Sequence, residues 1–394
     1  MRRTRRSKGP LPAITKQHLT GNQNTMQLYI KYLLTFCLFY AIHCIVPETA
    51  LAQLPEKQAI LSVMRTVCDQ ELRAPHYADN WQRNRLNSWI PSSFYPGLIA
   101  CYHATGDKKY LNAAVAWSAQ NEWKPASRFR HADDLLCTQT YFDLYAILQQ
   151  PEMLAPAKAR LDSIMAADTI SGRDDWHWCD ALYMAPPAWI RLSAITGDKK
   201  YSRFMYRQYQ DAVSFLQDKK DTLFFRDKNF FEKKAGNGQP IYWSRGNGWV
   251  ISGIARMIDY LPAKGTATST FKSLFRSLAA KITPLQLQDG LWPMSLLAPE
   301  DFPQQETSGS AMFCYALLKG INSGWLPEKE YLPAALRAWQ ALVQTVNTQG
   351  ILEHVQPGGA APYAFPPEAS QAYAVGAFLL AGNELQILTA RKKS

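Results

Sequence analysis

The chain has 394 residues, 47% of them hydrophobic and 19% charged, which excludes a disordered or fibrous protein and allows one large domain or two to three ordinary ones. Its formal charge of +11 overstates its basicity: residues 1–52 hold seven Lys/Arg and one acid, and the remainder carries 36 basic against 31 acidic residues, or +5. No basic stripe is left for nucleic acid, whereas 12 Trp and 19 Tyr supply more flat, polar-rimmed rings than a core requires, a surface suited to sugars.

At the N-terminus, Lys31 precedes an apolar run from Tyr32 to Val46, then Pro47, then Ala50-Leu51-Ala52 followed by Gln53. This order of charge, short apolar run and small residues is that of a secretory leader, and the run is short for a bilayer span. The expectation is cleavage near Ala52 and a periplasmic or secreted mature chain without membrane insertion. Residues 1–52 are thus a basic extension plus leader, with Met1 or Met26 as the start, and 53–394 form a single catalytic domain expected to act as a monomer. Cys68, Cys101, Cys137, Cys179 and Cys314 remain, with no C-x-x-C pair, so neither a disulfide framework nor a zinc site is expected. There is no P-loop, dinucleotide glycine fingerprint or His-x-x-x-His pair, and no cofactor or metal is expected.

Taken in order, apolar residues at helical spacing predict helices at 56–73, from near Pro91 through Tyr102, after Tyr110, and at 133–149, 155–166, 187–196, 199–217, 247–261, 267–282, 308–321, 328–347 and 369–387. The hexapeptide Thr-Gly-Asp-Lys-Lys-Tyr at 105–110 returns at 196–201, each time between two helices, so the chain repeats a helical hairpin. Six hairpins bury their apolar faces together in a closed ring, an all-α (α/α)6 barrel of six inner and six outer helices. An open solenoid is the alternative, and its ends would need polar caps. The long connections at 74–92, 121–132, 167–186, 218–246, 283–307 and 348–368 precede the second helix of each hairpin and gather at one mouth. Within them, Ile241–Trp243 and Leu291–Met294 read as short hairpin strands.

The densest chemistry lies at Asp174–Pro187. Pro186 and Pro187 start a helix, which puts Asp180 on the turn before it. Flanking indoles at Trp176 and Trp178 strip water from Asp180 and raise its pKa toward the range of a general acid. At a second junction, Asp133 either caps its helix or joins the site, with His131 beside it as His177 is beside Trp178. A third junction is Trp243-Ser244-Arg245-Gly246-Asn247-Gly248-Trp249, where Arg245 either clamps a carboxylate or pairs with Asp133 or Asp134. Trp89 sits on the first mouth loop, Thr307 or Ser308 reads as a cap, and His354 as a lone loop histidine.

At these junctions the chain resembles the unsaturated rhamnogalacturonyl hydrolases, glycoside hydrolase family 105, and the related unsaturated glucuronyl hydrolases of family 88. The matching pieces are Trp176 to Pro187, Trp243 to Trp249, Ala132-Asp133-Asp134 and Ser308-Gly309-Ser310. The resemblance implies the same (α/α)6 barrel and, as substrate, an oligosaccharide left by a polysaccharide lyase with a 4,5-unsaturated uronic acid at its non-reducing end. It also implies that Asp180 is the acid/base, that Asp133 is the second active-site carboxylate, and that Trp89, Trp178, Trp243, Arg245, Trp249, His131 and His177 contact substrate. Some members carry a histidine after Leu-Phe-Tyr in the fourth mouth loop, where this chain has Arg226 after Leu223-Phe224-Phe225. The expected substrate is a galacturonyl unit on rhamnose, with glucuronyl products of ulvan type as the alternative. A non-catalytic glycan-binding barrel and a sugar epimerase are the other classes, the latter wanting a histidine pair at the mouth.

Overall fold

Why the chain closes into a ring is visible in two kinds of helix, both present in the computed structural model, which describes residues 54–76, 86–167 and 171–393. The expected leader lies outside those residues. The helices are α1 (Lys57–Arg73), α2 (Trp89–Thr105), α3 (Lys108–Gln120), α4 (Cys137–Leu148), α5 (Ala155–Ala166), α6 (Pro186–Thr196), α7 (Lys199–Leu216), α8 (Ser244–Met257), α9 (Thr266–Ile282), α10 (Thr307–Asn322), α11 (Glu328–Gln344) and α12 (Ala372–Lys393). α7 buries one stripe, Tyr201, Phe204, Met205, Gln208, Tyr209, Ala212 and Leu216, at steps of three and four. α10 buries every residue except Lys319 and Asn322. A striped helix needs one neighbour, whereas a helix buried on all sides must be surrounded.

The even-numbered helices are the surrounded ones. α2 packs on α4, α4 on α6, α6 on α8, α8 on α10, α10 on α12, and α12 returns to α2. That last contact excludes the open solenoid. It is made at Gly97 and Gly376: a Cβ on Gly376 would lie 2.2 Å from the Ser93 carbonyl oxygen, and one on Gly97 would lie 2.5 Å from that of Gly376. Backbone meets backbone there, and only glycine allows it. The odd-numbered helices lie outside, α1 against α12 and α2, α3 against α2 and α4, and α7 against α6.

The repeated hexapeptide solves one problem twice. Gly106 and Gly197 take positive φ (70° and 72°), ending α2 and α6 in the left-handed conformation, and Asp107 and Asp198 then cap the next helix by accepting from the amides of Lys109 and Lys200 at 3.0 and 2.9 Å. Such compact returns leave the long loops at the opposite end of the ring.

Several local expectations change. α8 begins at Ser244, three residues early, because Gly246 and Gly248 are helical and serve close packing against Cys179 and Met312. The expected hairpin strands are a single antiparallel bridge, Trp243 to Ser295, flanked by Ser244 N to Met294 O and Leu296 N to Tyr242 O, both 2.9 Å. Among the described residues every β pairing is an isolated bridge. Glu306, not Thr307 or Ser308, caps α10, its carboxylate accepting from the amides of Ser308 and Gly309 at 3.0 and 2.8 Å. The five cysteines are buried and free.

Candidate active site

A cavity of about 240 Å³ opens at the mouth, lined by Trp89, Asp133, Trp178, Asp180, Met184, Arg226, Trp243, Arg245, Trp249, Gly358 and Gly359. Of the nine side chains singled out in the sequence, seven line it. The exceptions are His131 and His177, whose rings pack on Trp178 at 4.8 and 4.6 Å between centroids, so they support one wall instead of facing the cavity.

Asp180 reaches the cavity from the turn before Ala181–Met184, a single helical turn leading into α6. Its side chain is buried, and its neighbours are not those expected. Trp178 shares the cavity, while Trp176 is buried elsewhere in the core. The fourth mouth loop takes the expected place of Trp176: the Cys179 amide donates to the Arg226 carbonyl at 2.8 Å, and Trp178 bridges to Asp227. Burial pushes the Asp180 pKa up, against the pull of Arg226, a thiol hydrogen bond from Cys179 at 3.3 Å, and Arg245.

Asp133 stands in the first turn of Ala132–Leu135 and is not its cap; His131 occupies the cap position, and its Nδ1 lies 3.6 Å from the Asp133 carboxylate. Its carboxyl is pushed up to about 7 by burial, opposed by Arg128 at 3.5 Å and reinforced by the like charges of Asp180 and Asp134. Two carboxyls thus line one small cavity, and burial favours the protonated form of each. Asp134 points away and holds Arg128, accepting from its Nε at 3.0 Å, its Nη2 at 2.6 Å and its backbone amide at 2.6 Å.

Arg245 pairs with neither Asp133 nor Asp134. It is 1% exposed, lies between the Trp243 and Tyr373 rings at 4.3 and 4.8 Å, and donates to the carbonyls of Gln356 and Pro357 (2.9 Å to the latter) and to the Tyr373 hydroxyl at 3.0 Å. Trp243 Nε1 donates to Gln356 Oε1 at 2.9 Å, so Gln356 ties the sixth mouth loop to the third junction. The remaining wall is aromatic: Trp89 stacks on Tyr373 at 5.4 Å, Trp249 meets Trp89 edge-on at 6.5 Å, and Tyr183 backs Trp249 at 4.6 Å. Four indoles, two carboxyls and two guanidiniums thus line one cavity, combining flat apolar faces with charge of both signs. Sequence reasoning did not reach Gln356 or Tyr373, because more than 100 residues separate them from Trp243 and Arg245 and neither lies in a recognisable motif. Among the described residues no cluster of three or more His, Cys, Asp or Glu is arranged to hold a metal.

The chain is similar to known proteins over most of its length. Residues 62–389 match the profile described as Glycosyl Hydrolase Family 88. Two curated relatives, each named unsaturated 3S-rhamnoglycuronyl hydrolase, come from Formosa agariphila (35% identical, covering 75% of this chain and 84% of that protein) and Alteromonas sp. strain LOR (33%, covering 76% and 77%). A solved family 88 structure from Bacteroides vulgatus superposes with a TM-score of 0.76 at 28% identity, covering 84% of this chain and 99% of that one. A structure described as a possible family 105 member, from Salmonella enterica, shares the fold with a TM-score of 0.74 at 18% identity, covering 87% and 99%. With the matched profile spanning nearly all of the barrel, the chain belongs to glycosyl hydrolase family 88 and is a glycoside hydrolase of the (α/α)6-barrel fold.

Proposed function

We propose that this enzyme releases a 4,5-unsaturated uronic acid from the non-reducing end of a lyase-generated oligosaccharide, by hydrating the ring double bond. Asp180, protonated, gives its proton to C4 of the enol ether, and cationic character develops at C5, shared with the ring oxygen. Asp180, now a carboxylate, accepts a proton from the water that adds at C5, and the resulting hemiketal opens and expels the neighbouring sugar. Ordinary glycosidases place two carboxylates around the glycosidic bond; here the bond is lost as a consequence of hydration, and Asp133 orients the ring and shares the proton. The observation that carries this reading is the pairing of two carboxyls of raised pKa in one aromatic cavity.

Rhamnose is the proposed neighbouring sugar, since the relatives' names join it to a glycuronyl unit. A galacturonyl ring is the proposed uronide, with a glucuronyl ring of ulvan type as the alternative. The enzyme acts outside the cytoplasm, as the leader-like residues 32–52 suggest, and meets fragments already cut there. Purified enzyme mixed with unsaturated galacturonyl-rhamnose and glucuronyl-rhamnose should bleach the ultraviolet absorbance of the conjugated double bond and release rhamnose. Tight binding without bleaching of either would favour a glycan-binding barrel and refute the reading.

A further inference from the structure

The charge that meets the substrate carboxylate does not have to belong to Arg245, the arginine of the recognisable motif. Three N–H directions of Arg245 are taken by Gln356 O, Pro357 O and Tyr373 Oη, and its guanidinium packs on the Trp243 and Tyr373 rings. It is a strut that holds the sixth mouth loop in place. Arg226 is different. It lines the same cavity, its side chain is 24% exposed, and its one ion pair among the described residues runs from Nη1 to Asp227 at 2.5 Å. Among the described residues, Nε is buried without a hydrogen-bond partner in both arginines; what separates them is access, because Arg245 is 1% exposed and Arg226 is not sealed in. Its backbone is fixed, since its carbonyl accepts from Cys179 N, and Asp227 is anchored by the bridge to Trp178 and by the Asn229 amide at 2.8 Å. A partly exposed guanidinium on the cavity wall, with only Nη1 committed to an ion pair, keeps donors for an anion.

We propose that Arg226, not Arg245, receives the carboxylate of the substrate's uronic acid, and so sets the enzyme's requirement for a free acid and the rotation of the ring over Asp180. This rests on the reading of the substrate as a uronide. Arg226 also lowers the proton affinity of Asp180. A bound carboxylate would neutralise that influence, so substrate arrival itself helps load the acid with its proton.

The test uses the unsaturated uronyl-rhamnose disaccharide as free acid and as methyl ester. Binding is read by quenching of the cavity tryptophans, and turnover by bleaching. Wild type should bind and turn over the acid on the order of 10- to 100-fold better than the ester, the range of charge-assisted hydrogen bonds in a half-buried site. R226Q should lose most of that preference by weakening on the acid, R226K should retain an intermediate share, and R245K should keep it. If R226Q distinguishes acid from ester as strongly as wild type, the assignment is wrong. Discrimination in binding with no bleaching by wild type would refute the hydration chemistry and leave the assignment standing. Bleaching with undiminished discrimination in R226Q would do the reverse. Should R226Q fail to fold, R226K decides: it preserves the charge and the Asp227 pair but not the fork, and wild-type discrimination in R226K at an unchanged melting temperature overturns the proposal.

Discussion

Replacing Asp133 by Asn should make the protein more stable at alkaline pH, by an amount that the site's electrostatics set. The Asp133 carboxyl sits at about 7 in the native state because it is buried beside Asp180 and Asp134, whereas in the unfolded chain it titrates near ~3.9. A native pKa above the unfolded one means that the folded protein holds more protons throughout that interval, so this group withdraws stability as pH rises from about 4 to about 7 and leaves the full penalty above it. About three pKa units correspond to about 4 kcal/mol at ~1.4 kcal/mol per unit, an upper bound because a charged Asp133 can draw in water or Arg128. Urea denaturation of wild type and D133N at pH 4.5 and pH 8, reading the difference between the two proteins, removes the slopes common to both. The variant should gain on the order of 2–4 kcal/mol relative to wild type between the two pH values. A gap that stays constant, or that shrinks toward pH 8, would show that Asp133 is ionised at no cost and that the two carboxyls share no proton.

Other consequences are quicker to check. D180N should fold and bind substrate, yet bleach it on the order of 10²–10⁴-fold more slowly, from loss of acid/base help; a loss confined to KM would assign Asp180 to binding alone. At the far end of the ring, Asp143 is fully engaged by Arg191 at 2.9 Å and Arg256 at 2.8 Å; burial raises its pKa, but the two guanidiniums outweigh burial and hold it below the ordinary carboxylate range. D143A should therefore cost about 3–5 kcal/mol in denaturation, as an uncompensated buried charge does, with little change at the mouth cavity. G376A should destabilise by about 1–3 kcal/mol or more, since its Cβ would lie 2.2 Å from the Ser93 carbonyl oxygen at the α2–α12 closure.

The sequence made the barrel legible because helical periodicity and the Thr-Gly-Asp turn are local signals: the apolar stripe of α7 and the left-handed Gly106 and Gly197 need no distant partner to be read. The site was legible to the extent that its residues sit in motifs, as Asp180, Asp133, Trp178 and Arg245 do. What each one touches was not. Arg245 offered itself as a clamp because its planar fork suits a carboxylate, but Gln356 and Tyr373, supplied by the sixth mouth loop and α12, satisfy it first. Trp176 and Trp178 flank Asp180 in a sequence window, yet only one of two indoles on an irregular turn ends up on its side, and the vacated side is filled by Arg226. Glu306 took the α10 cap from Thr307 and Ser308 because its longer side chain reaches two amides, while the Thr307 hydroxyl was recruited by the Glu353 carbonyl at 2.9 Å. Long-range hydrogen bonding decided these local roles.

The account's central claim is that a carbon–carbon double bond, and not the glycosidic linkage, is the bond attacked. Rhamnose release by wild-type enzyme from the unsaturated disaccharide and from its saturated counterpart, identical in linkage and sugar, tests this directly. Release from the unsaturated compound alone is predicted; comparable release from both would mean direct cleavage at the anomeric carbon and would contradict the account.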